Sequence, residues 1–494
     1  MAVSVRSAGP RIRFAVAGVV SALVAAVSAC APVGPDYHLP GSALINAPTA
    51  EGRFVGAAGN KAVAEAPLPA NWWRLYQSAD LDRLVTNAFA ANTDLRVAEA
   101  NLERSRAMVT AARAAGQPNV ALNLDFAREQ LAAEQYLYAG SLPVENLYNV
   151  GVTASYELDL FGRIRRGVEA ATADDEVVEA ARDLVRVSVA ADVTRAYAEV
   201  CAAGDQLATA RESLALQQQS LALTQRLFKA GRGTTLDLTR SQGQIDQFRA
   251  SIPTLEAGRR NALFRLATLT GRPPAEFEVD LTRCVVAPAL AQPIPVGDGA
   301  ALLKRRPDVR AAERRLAAST AEIGVATAGL YPDVKLGASI GSTGAAGDFL
   351  KTATNFYGGG PGVTWELNHS AARARIAGAK AAQKAELARF DGVVLVALRD
   401  VETSLNTYSH DLERQASLAS ARNQASSALV DARRLQAAGR TGALSTLDAE
   451  RTLATTESAL AAMRAQIALD QVTVFLALGG GWEIEAASPA TKAG

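Results

Sequence analysis

Asp94-Leu95-Arg96-Val97-Ala98-Glu99-Ala100-Asn101-Leu102 returns later in the chain as Asp308-Val309-Arg310-Ala311-Ala312-Glu313-Arg314-Arg315-Leu316. The same offset links Pro118 to Pro332. At nearly the same offset Ala230-Gly231-Arg232 returns as Ala438-Gly439-Arg440. Residues 84–274 are thus echoed by residues 298–482. A period this long is not a solenoid unit of about 20–50 residues. It marks a half-molecule built twice. Internal duplication is common among membrane transport proteins, yet neither half is expected to hold a membrane-spanning helix.

Outward from the repeated stretch, each half shows the same order of patterns. Leu81, Leu84, Val85, Ala88 and Phe89 follow helical spacing, as do Leu95, Ala98 and Leu102, and the copy runs from about 299 to 330. Asp94 and Asp308 stand where a cap or turn would open the next helix, and Pro307 supports a break there. After Pro118 the chain alternates: Val120, Leu122, Leu124 and Phe126 are apolar, with Asn119, Ala121, Asn123 and Asp125 between them. After Pro332, Val334, Leu336, Ala338 and Ile340 do the same. Tyr148 to Leu158 supplies a second strand to the first half, and Val363, Trp365 and Leu367 to the second, giving hairpins over about 118–161 and 332–367. A period of two with one apolar face suits a half-buried strand or a strand of a transmembrane barrel. Tyr148, Tyr156 and Trp365 would form an aromatic girdle. Four strands cannot close a membrane barrel, and open edges in lipid are prohibitive. If the strands span a bilayer, several chains must share one barrel.

The remaining helical runs are very long: 165–229 and 233–270 in the first half, 371–437 and 443–478 in the second. Their joints, Gly231-Arg232-Gly233 and Gly439-Arg440-Thr441-Gly442, suit tight helical-hairpin turns. Leu207, Leu214, Leu221 and Phe228 recur every seven residues, as do Leu453, Leu460, Ile467 and Val474, which is coiled-coil packing. Pro253 should kink a return helix or sit at a register change.

Composition narrows the function classes. Lys+Arg is 51 against Asp+Glu 50, so no basic field points to nucleic acid. Residues 1–29 read as a signal peptide, with Arg6, Arg11 and Arg13 ahead of a short apolar run that ends in Val27-Ser28-Ala29-Cys30. Small residues before Cys30 match a bacterial lipobox, so Cys30 is the expected lipidation site. Removing residues 1–29 removes three arginines and no acids, which leaves a net charge of −2. Residues 30–70, rich in Pro, Gly and Ala, read as a flexible lipidated tether. Trp72-Trp73 then opens the ordered body as a packing cap. The two repeats are placed at 71–283 and 284–483, with a tail at 484–494. Cys201 lies in a helix and Cys284 in an irregular segment, and both are expected to be unpaired. No catalytic, cofactor or metal-ligating constellation stands out among the motifs with known mechanics.

Cys30-Ala31-Pro32-Val33-Gly34-Pro35-Asp36-Tyr37, Asn92-Thr93-Asp94-Leu95, Tyr156-Glu157-Leu158-Asp159-Leu160-Phe161-Gly162, Leu269-Thr270-Gly271, Arg306-Pro307-Asp308-Val309-Arg310 and Leu330-Tyr331-Pro332 together resemble the outer-membrane factor family. These are the TolC-like exit ducts of bacterial efflux pumps, and the likeness is to their lipoprotein OprM/NodT-type branch. The resemblance covers nearly the whole mature chain. It implies a mainly helical fold with some β structure: duplicated coiled-coil hairpins form a periplasmic α-barrel, and four strands per chain join a shared trimeric transmembrane β-barrel. It implies a homotrimer in outer-membrane lipid, partnered by a periplasmic adaptor protein and an inner-membrane pump. The function implied is passive exit of drugs or other small molecules. A type I protein secretion duct and a poreless structural lipoprotein are the alternatives.

The resemblance also assigns a gate at the periplasmic tip. Leu444 and Asp448 match the leucine and aspartate that narrow the pore, and Arg451 matches the arginine that ties the closed state. Asp237, beside the other joint, is the candidate partner for an arginine across the tip, and Gly231 and Gly439 mark the hairpin joints. Two departures stand out. Ser445 replaces a second acidic residue found in some relatives, and Asn368-His369-Ser370-Ala371 replaces the usual Phe-Asp-Gly-Gly-like turn of the second repeat.

Overall fold

The computed structural model describes residues 32–480. Cys30 and the tail at 484–494 lie outside them. The principal elements come in the same order twice. The first half holds α1 (Ala79–Ala91), α2 (Thr93–Ala114), β1 (Asn119–Glu129), β2 (Glu145–Leu158), α3 (Arg163–Lys229) and α4 (Thr235–Leu269). The second holds α5 (Gly299–Arg305), α6 (Pro307–Ala328), β3 (Asp333–Ala345), β4 (Asn355–Thr364), α7 (Ser370–Ala437) and α8 (Ala443–Ala477). At 67 and 68 residues, α3 and α7 are each about 100 Å long. The chain divides into two compact units, and neither is one repeat. A strand unit draws on 103–177 and 313–389 with the N-terminal residues to 39; a helical unit draws on 40–102, 178–312 and the remainder from 390.

The strand unit is built on one antiparallel sheet in the order β1-β2-β3-β4. Register places Leu122 opposite Val152, Val152 opposite Ile340, and Ile340 opposite Tyr357. Every large apolar residue of the alternation therefore falls on one face, where Val120, Leu122, Leu124, Phe126 and Ile340 are exposed. The opposite face carries Asn123, Asp125, Thr153, Glu157, Lys335 and Ser339. The last strand differs from its expected reading. It runs from Asn355 to Thr364 through Phe356-Tyr357-Gly358-Gly359-Gly360-Pro361-Gly362, and Trp365 and Leu367 lie beyond it. Glycines and a proline mask a strand in sequence. Pro361 lies in β4, the edge strand of this chain's own sheet, where proline is met more often than in a central strand. Tyr148 also departs from the girdle role. Loop 346–354 folds over it, and its hydroxyl meets Ser342 Oγ (2.7 Å), Thr354 Oγ1 (2.9 Å) and the Leu350 amide (3.1 Å). Tyr148 is buried, whereas Tyr156 and Trp365 remain exposed.

The segment expected as a flexible tether is laid down along both units. Pro32 fills the space where Gly162, at φ +79°, lacks a side chain; a Cβ there would sit 2.5 Å from the Cβ of Pro32. The Val33 amide donates to Phe161 O (3.0 Å). Buried Arg166 donates to Val33 O (3.2 Å) and to Asp36 Oδ1 (2.7 Å), and Tyr37 donates to Glu313 Oε1 (2.5 Å). In the helical unit the Leu44 amide bonds Asp391 and the Val55 and Gly56 amides bond Glu402. Val63–Ala64 pairs in parallel with Ile294–Pro295. Low apolar content misled the reading, because backbone amides and a few side chains, Asp36, Tyr37, and the buried Phe54 and Leu68, fasten this segment.

The helical unit has one large core. Trp72 stacks on Phe475 (4.4 Å between ring centres) and its indole donates to Gly480 O (3.3 Å), while the Trp73 indole donates to Asp82 (2.9 Å). The tryptophan pair is thus packing, with both polar tips satisfied. The N-cap of α2 is Asn92, not Asp94: its Oδ1 accepts from the Asp94 and Leu95 amides. Asp308 accepts from Arg306, whose guanidinium also reaches Ala477 O (3.0 Å) at the end of α8. Pro253 sits inside an uninterrupted α4. Along α8 the heptad residues Leu453, Leu460, Ile467 and Val474 are all buried. In α3 Leu207 is buried, Leu214 and Leu221 are half-buried, and Phe228 is exposed. Ser213, Gln217 and Thr224 take the buried seam.

Cys201 and Cys284 form a disulfide, contrary to the expectation of unpaired thiols. The physical reason lies one turn along α3, at Gly204. A Cβ there would sit 2.1 Å from the Cys284 carbonyl oxygen. The missing side chain opens a notch through which the connector between the repeats touches the helix.

Candidate functional site

The two hairpin joints are built alike. Each long helix ends on a glycine in the left-handed region, Gly231 (φ +71°) and Gly439 (φ +68°). The Gly231 amide donates to Phe228 O and the Arg232 amide to Leu227 O; the Gly439 and Arg440 amides donate to Gln436 O and Leu435 O. Two amides thereby satisfy carbonyls left open at each helix end, as in a Schellman cap.

The return helices start differently. Asp237 sits in the first turn of α4 and closes a capping box with Thr234. Its Oδ2 accepts from the Thr234 amide (3.0 Å) and hydroxyl (2.6 Å), and Thr234 Oγ1 accepts from the Asp237 amide (3.2 Å). These bonds hold the Asp237 carboxyl below the ordinary aspartate range. No side chain caps α8, where Gly442 stands at the N-cap. Asp448 and Arg451 pair with each other across one turn, Arg451 Nη2 to Asp448 Oδ1 at 2.7 Å, and both are well exposed. Leu444 is exposed on the same face. Within one chain, Asp237 is thus engaged by its own cap and Arg451 by Asp448, and neither is bonded to the other.

The inward face of α8 holds residues that the sequence reading missed. Glu450 is buried, accepts from Arg433 Nη2 of α7 (3.0 Å), and leaves Oε2 without a hydrogen-bond partner. Thr446, also buried, donates to Gln436 Oε1 (2.8 Å). The available signal was the interval from Thr446-Leu447 through Glu450 to Leu453-Ala454, which continues the buried stripe of α8 down to the tip. A cavity of about 1010 Å3 opens between the two hairpin tips, with Arg226, Arg232, Asp237, Arg433, Leu444 and Glu450 on its walls. Higher up, a second cavity of about 730 Å3 is lined by Arg451, Thr455 and Ser458 of α8 with Gln247, Phe248 and Ser251 of α4. Leu444, Asp448, Arg451, Thr455 and Ser458 are spaced four and three apart, so one exposed stripe joins the tip to this second cavity.

The departure noted at 368–371 is a different cap. In the first repeat Asp159 accepts from the Ile164 and Arg165 amides. In the second, Asn368 accepts from the Ser370 amide, and the His369 ring lies against Trp365.

Comparison with known proteins agrees with this architecture. The family model described as outer membrane efflux protein matches residues 84–272 and again 300–480, one match per repeat. The chain is 30% identical to outer membrane protein OprJ of Pseudomonas aeruginosa over 94% of this chain and 96% of that one. It is 29% identical to the pyoverdine export outer membrane protein OpmQ of Pseudomonas putida, over 85% and 90%. Among solved structures, the outer-membrane channel OprN superposes with a TM-score of 0.83 at 34% identity, covering 91% of this chain and 99% of that one. The open state of the Neisseria gonorrhoeae MtrE channel gives 0.75 at 27%, covering 92% and 99%. With the duplicated hairpins, the four-stranded sheet and a match through both repeats, the chain belongs to the outer membrane efflux protein family and is an outer-membrane channel component of an efflux pump.

Proposed function

We propose that this chain is the passive exit duct of a tripartite efflux pump for small molecules, and that the exposed face of α8 at the hairpin tip is its gate. One observation carries the reading. Leu444, Asp448 and Arg451 share an exposed face beside the Gly439 joint, while Leu447 and Glu450 turn inward. In a threefold assembly Asp448 contributes a ring of three carboxylates, which favours cations. Leu444 narrows the same level. Arg451 neutralises Asp448 within the chain, so the closed state needs a rearranged arginine or a cation to hold it. Asp237 is the acceptor proposed for an arginine of a neighbouring copy. The groove between the two tips, with Arg226, Arg232 and Arg433 on its walls, is the proposed seat of the periplasmic adaptor. Energy comes from the inner-membrane partner. Cys30 is proposed to carry lipid, a second anchor beside the barrel.

The test is conductance in planar bilayers. The wild-type trimer is expected to conduct poorly and to prefer cations. Asp448→Ala should weaken the preference, and Arg451→Ala or Asp237→Ala should raise conductance. Folded trimers of all three variants with wild-type conductance and selectivity would defeat the gate.

A further inference from the structure

The polar face of the sheet has one aromatic residue among the described residues. Strand register puts Phe356 of β4 opposite Gly341 of β3, Gly341 opposite Gly151 of β2, and Gly151 opposite Asn123 of β1. These belong to the face of Asn123, Asp125, Thr153, Lys335 and Ser339, opposite the face of Leu122, Val152 and Ile340. With the apolar face toward lipid, the polar face lines the lumen. Aromatic side chains are expected on the other side or at its rims.

The Phe356 ring rests on a seat made for it. A Cβ added at Gly341 would lie 2.6 Å from Phe356 Cζ, and one at Gly151 would lie 3.3 Å from it. The ring therefore reaches across two strands over bare backbone, and it is 36% exposed. The rest of β4 leaves it alone. On this face the strand continues with Gly358, Gly360 and Gly362 and ends at Thr364. No atom lies within 4 Å of a Cβ built at Gly358 or Gly360. Along β4 the lumen wall is thus one aromatic side chain, then a glycine floor. Neighbouring strands offer amides, hydroxyls and charges, several already paired with one another: Asn123 donates to Thr153 (3.3 Å) and Lys335 meets Asp333 (2.9 Å).

We propose that Phe356 is the cargo-contacting residue of the barrel lumen, a ring face on which aromatic or amphiphilic organic molecules stack as they pass. The inference rests on the reading of the chain as an export duct and adds where cargo is held. Glycines at 151 and 341 hold the ring against the wall, so it offers a π face without closing the passage. A flat apolar molecule crossing a hydrated lumen gains by covering that face.

The experiment uses purified trimers in nanodiscs and proflavine, a water-soluble aromatic cation, titrated by fluorescence anisotropy. Phe356→Ala is expected to weaken binding about 3- to 10-fold. Phe356→Leu fills the seat without a π face and should weaken it similarly, whereas Phe356→Tyr should restore it. Gly341→Ala should displace the ring and mimic Phe356→Ala. Equal affinity in wild type, Phe356→Ala and Phe356→Leu, with trimers intact, overturns the proposal and leaves the ring a cover for the glycines. Ion conductance of the same trimers in planar bilayers, with the gate loosened by Arg451→Ala, tests the duct independently. A conducting trimer with unaltered proflavine affinity rejects Phe356 alone, and folded Arg451→Ala trimers with no conductance reject the duct.

Discussion

Gly204 shows how one missing side chain decides a contact that spacing could not reveal. In sequence it is a glycine inside a long helical run, a small penalty with no evident purpose. In the fold it is the notch beneath the Cys284 carbonyl, and it brings Cys284 against Cys201. The cysteines were visible in the sequence and their proximity was not, because it depends on how a connector without periodicity crosses a helix. Gly204→Val places carbon into backbone, which cannot turn aside as a flexible side chain can. It should cost about 1–3 kcal/mol and leave free thiols, read by melting temperature and thiol titration. The same lesson holds at Asn92. The helix start was expected at Asp94, two residues away, since both side chains can cap; only the bonds to the Asp94 and Leu95 amides distinguish them. Leu444, Asp448 and Arg451 were singled out by the family resemblance, and their four-and-three spacing, which a helix converts into one face, is why they lie together on the exposed side of α8. Glu450 was missed because a glutamate in a heptad reads as solvent-facing until its partner Arg433 is seen.

Elements were legible where periodicity was strong. β1, β2 and β3 follow strict alternation, and the four long helices begin and end within two residues of their expected positions. β4 was legible only at Val363, since Gly358-Gly359-Gly360-Pro361-Gly362 carries no alternation to read. Between α7 and α8 lies a pair that no pattern suggested. Asp470 is buried on α8, its Oδ1 accepts from Gln466 (2.8 Å), and its Oδ2 has no hydrogen-bond partner. Asp411 of α7 is within hydrogen-bonding reach, and Tyr408 lies nearby. Burial first, then Asp411, lifts the Asp470 carboxyl to about 6. Its folded-state value is therefore above its unfolded one. Between about pH 4 and pH 6 the folded chain retains a proton that the unfolded chain releases, so stability falls as pH rises through that window, by at most about 3 kcal/mol. Melting temperatures from pH 4 to pH 8 should show this slope, and Asp470→Asn should flatten it and raise stability above pH 6.

At the scale of the whole molecule, duplication was the most legible feature, because five of nine residues at 94–102 and one proline, Pro118, recur at a single offset. The course of residues 32–70 was the least legible, since its fastenings are backbone amides to Asp391, Glu402 and Phe161 and two widely separated apolar anchors, Phe54 and Leu68, which form no periodic pattern. The division into a strand unit and a helical unit also cuts across the repeats, because each repeat supplies half of both. Sheet sidedness sets a test of assembly. Leu122→Arg puts a charge on the lipid face and should cost about 2–4 kcal/mol near the midplane, whereas Asn123→Arg faces the lumen and should be nearly neutral. Trimer yield from membranes, compared for the two variants, measures the difference. The sheet order has a further consequence. β1 and β4 are both edges, so every copy carries two unpaired rows of amides and carbonyls into the bilayer and satisfies them only by joining two others. The strand edges demand partners whether or not the tip is sound. A copy damaged at its hairpin tip, with strands intact, is still admitted. If sound and damaged copies mix freely in equal amounts, roughly one assembly in eight is wholly sound. Damage at the tip is therefore dominant in inheritance, while damage to the strands, which excludes the faulty copy from the ring, is recessive.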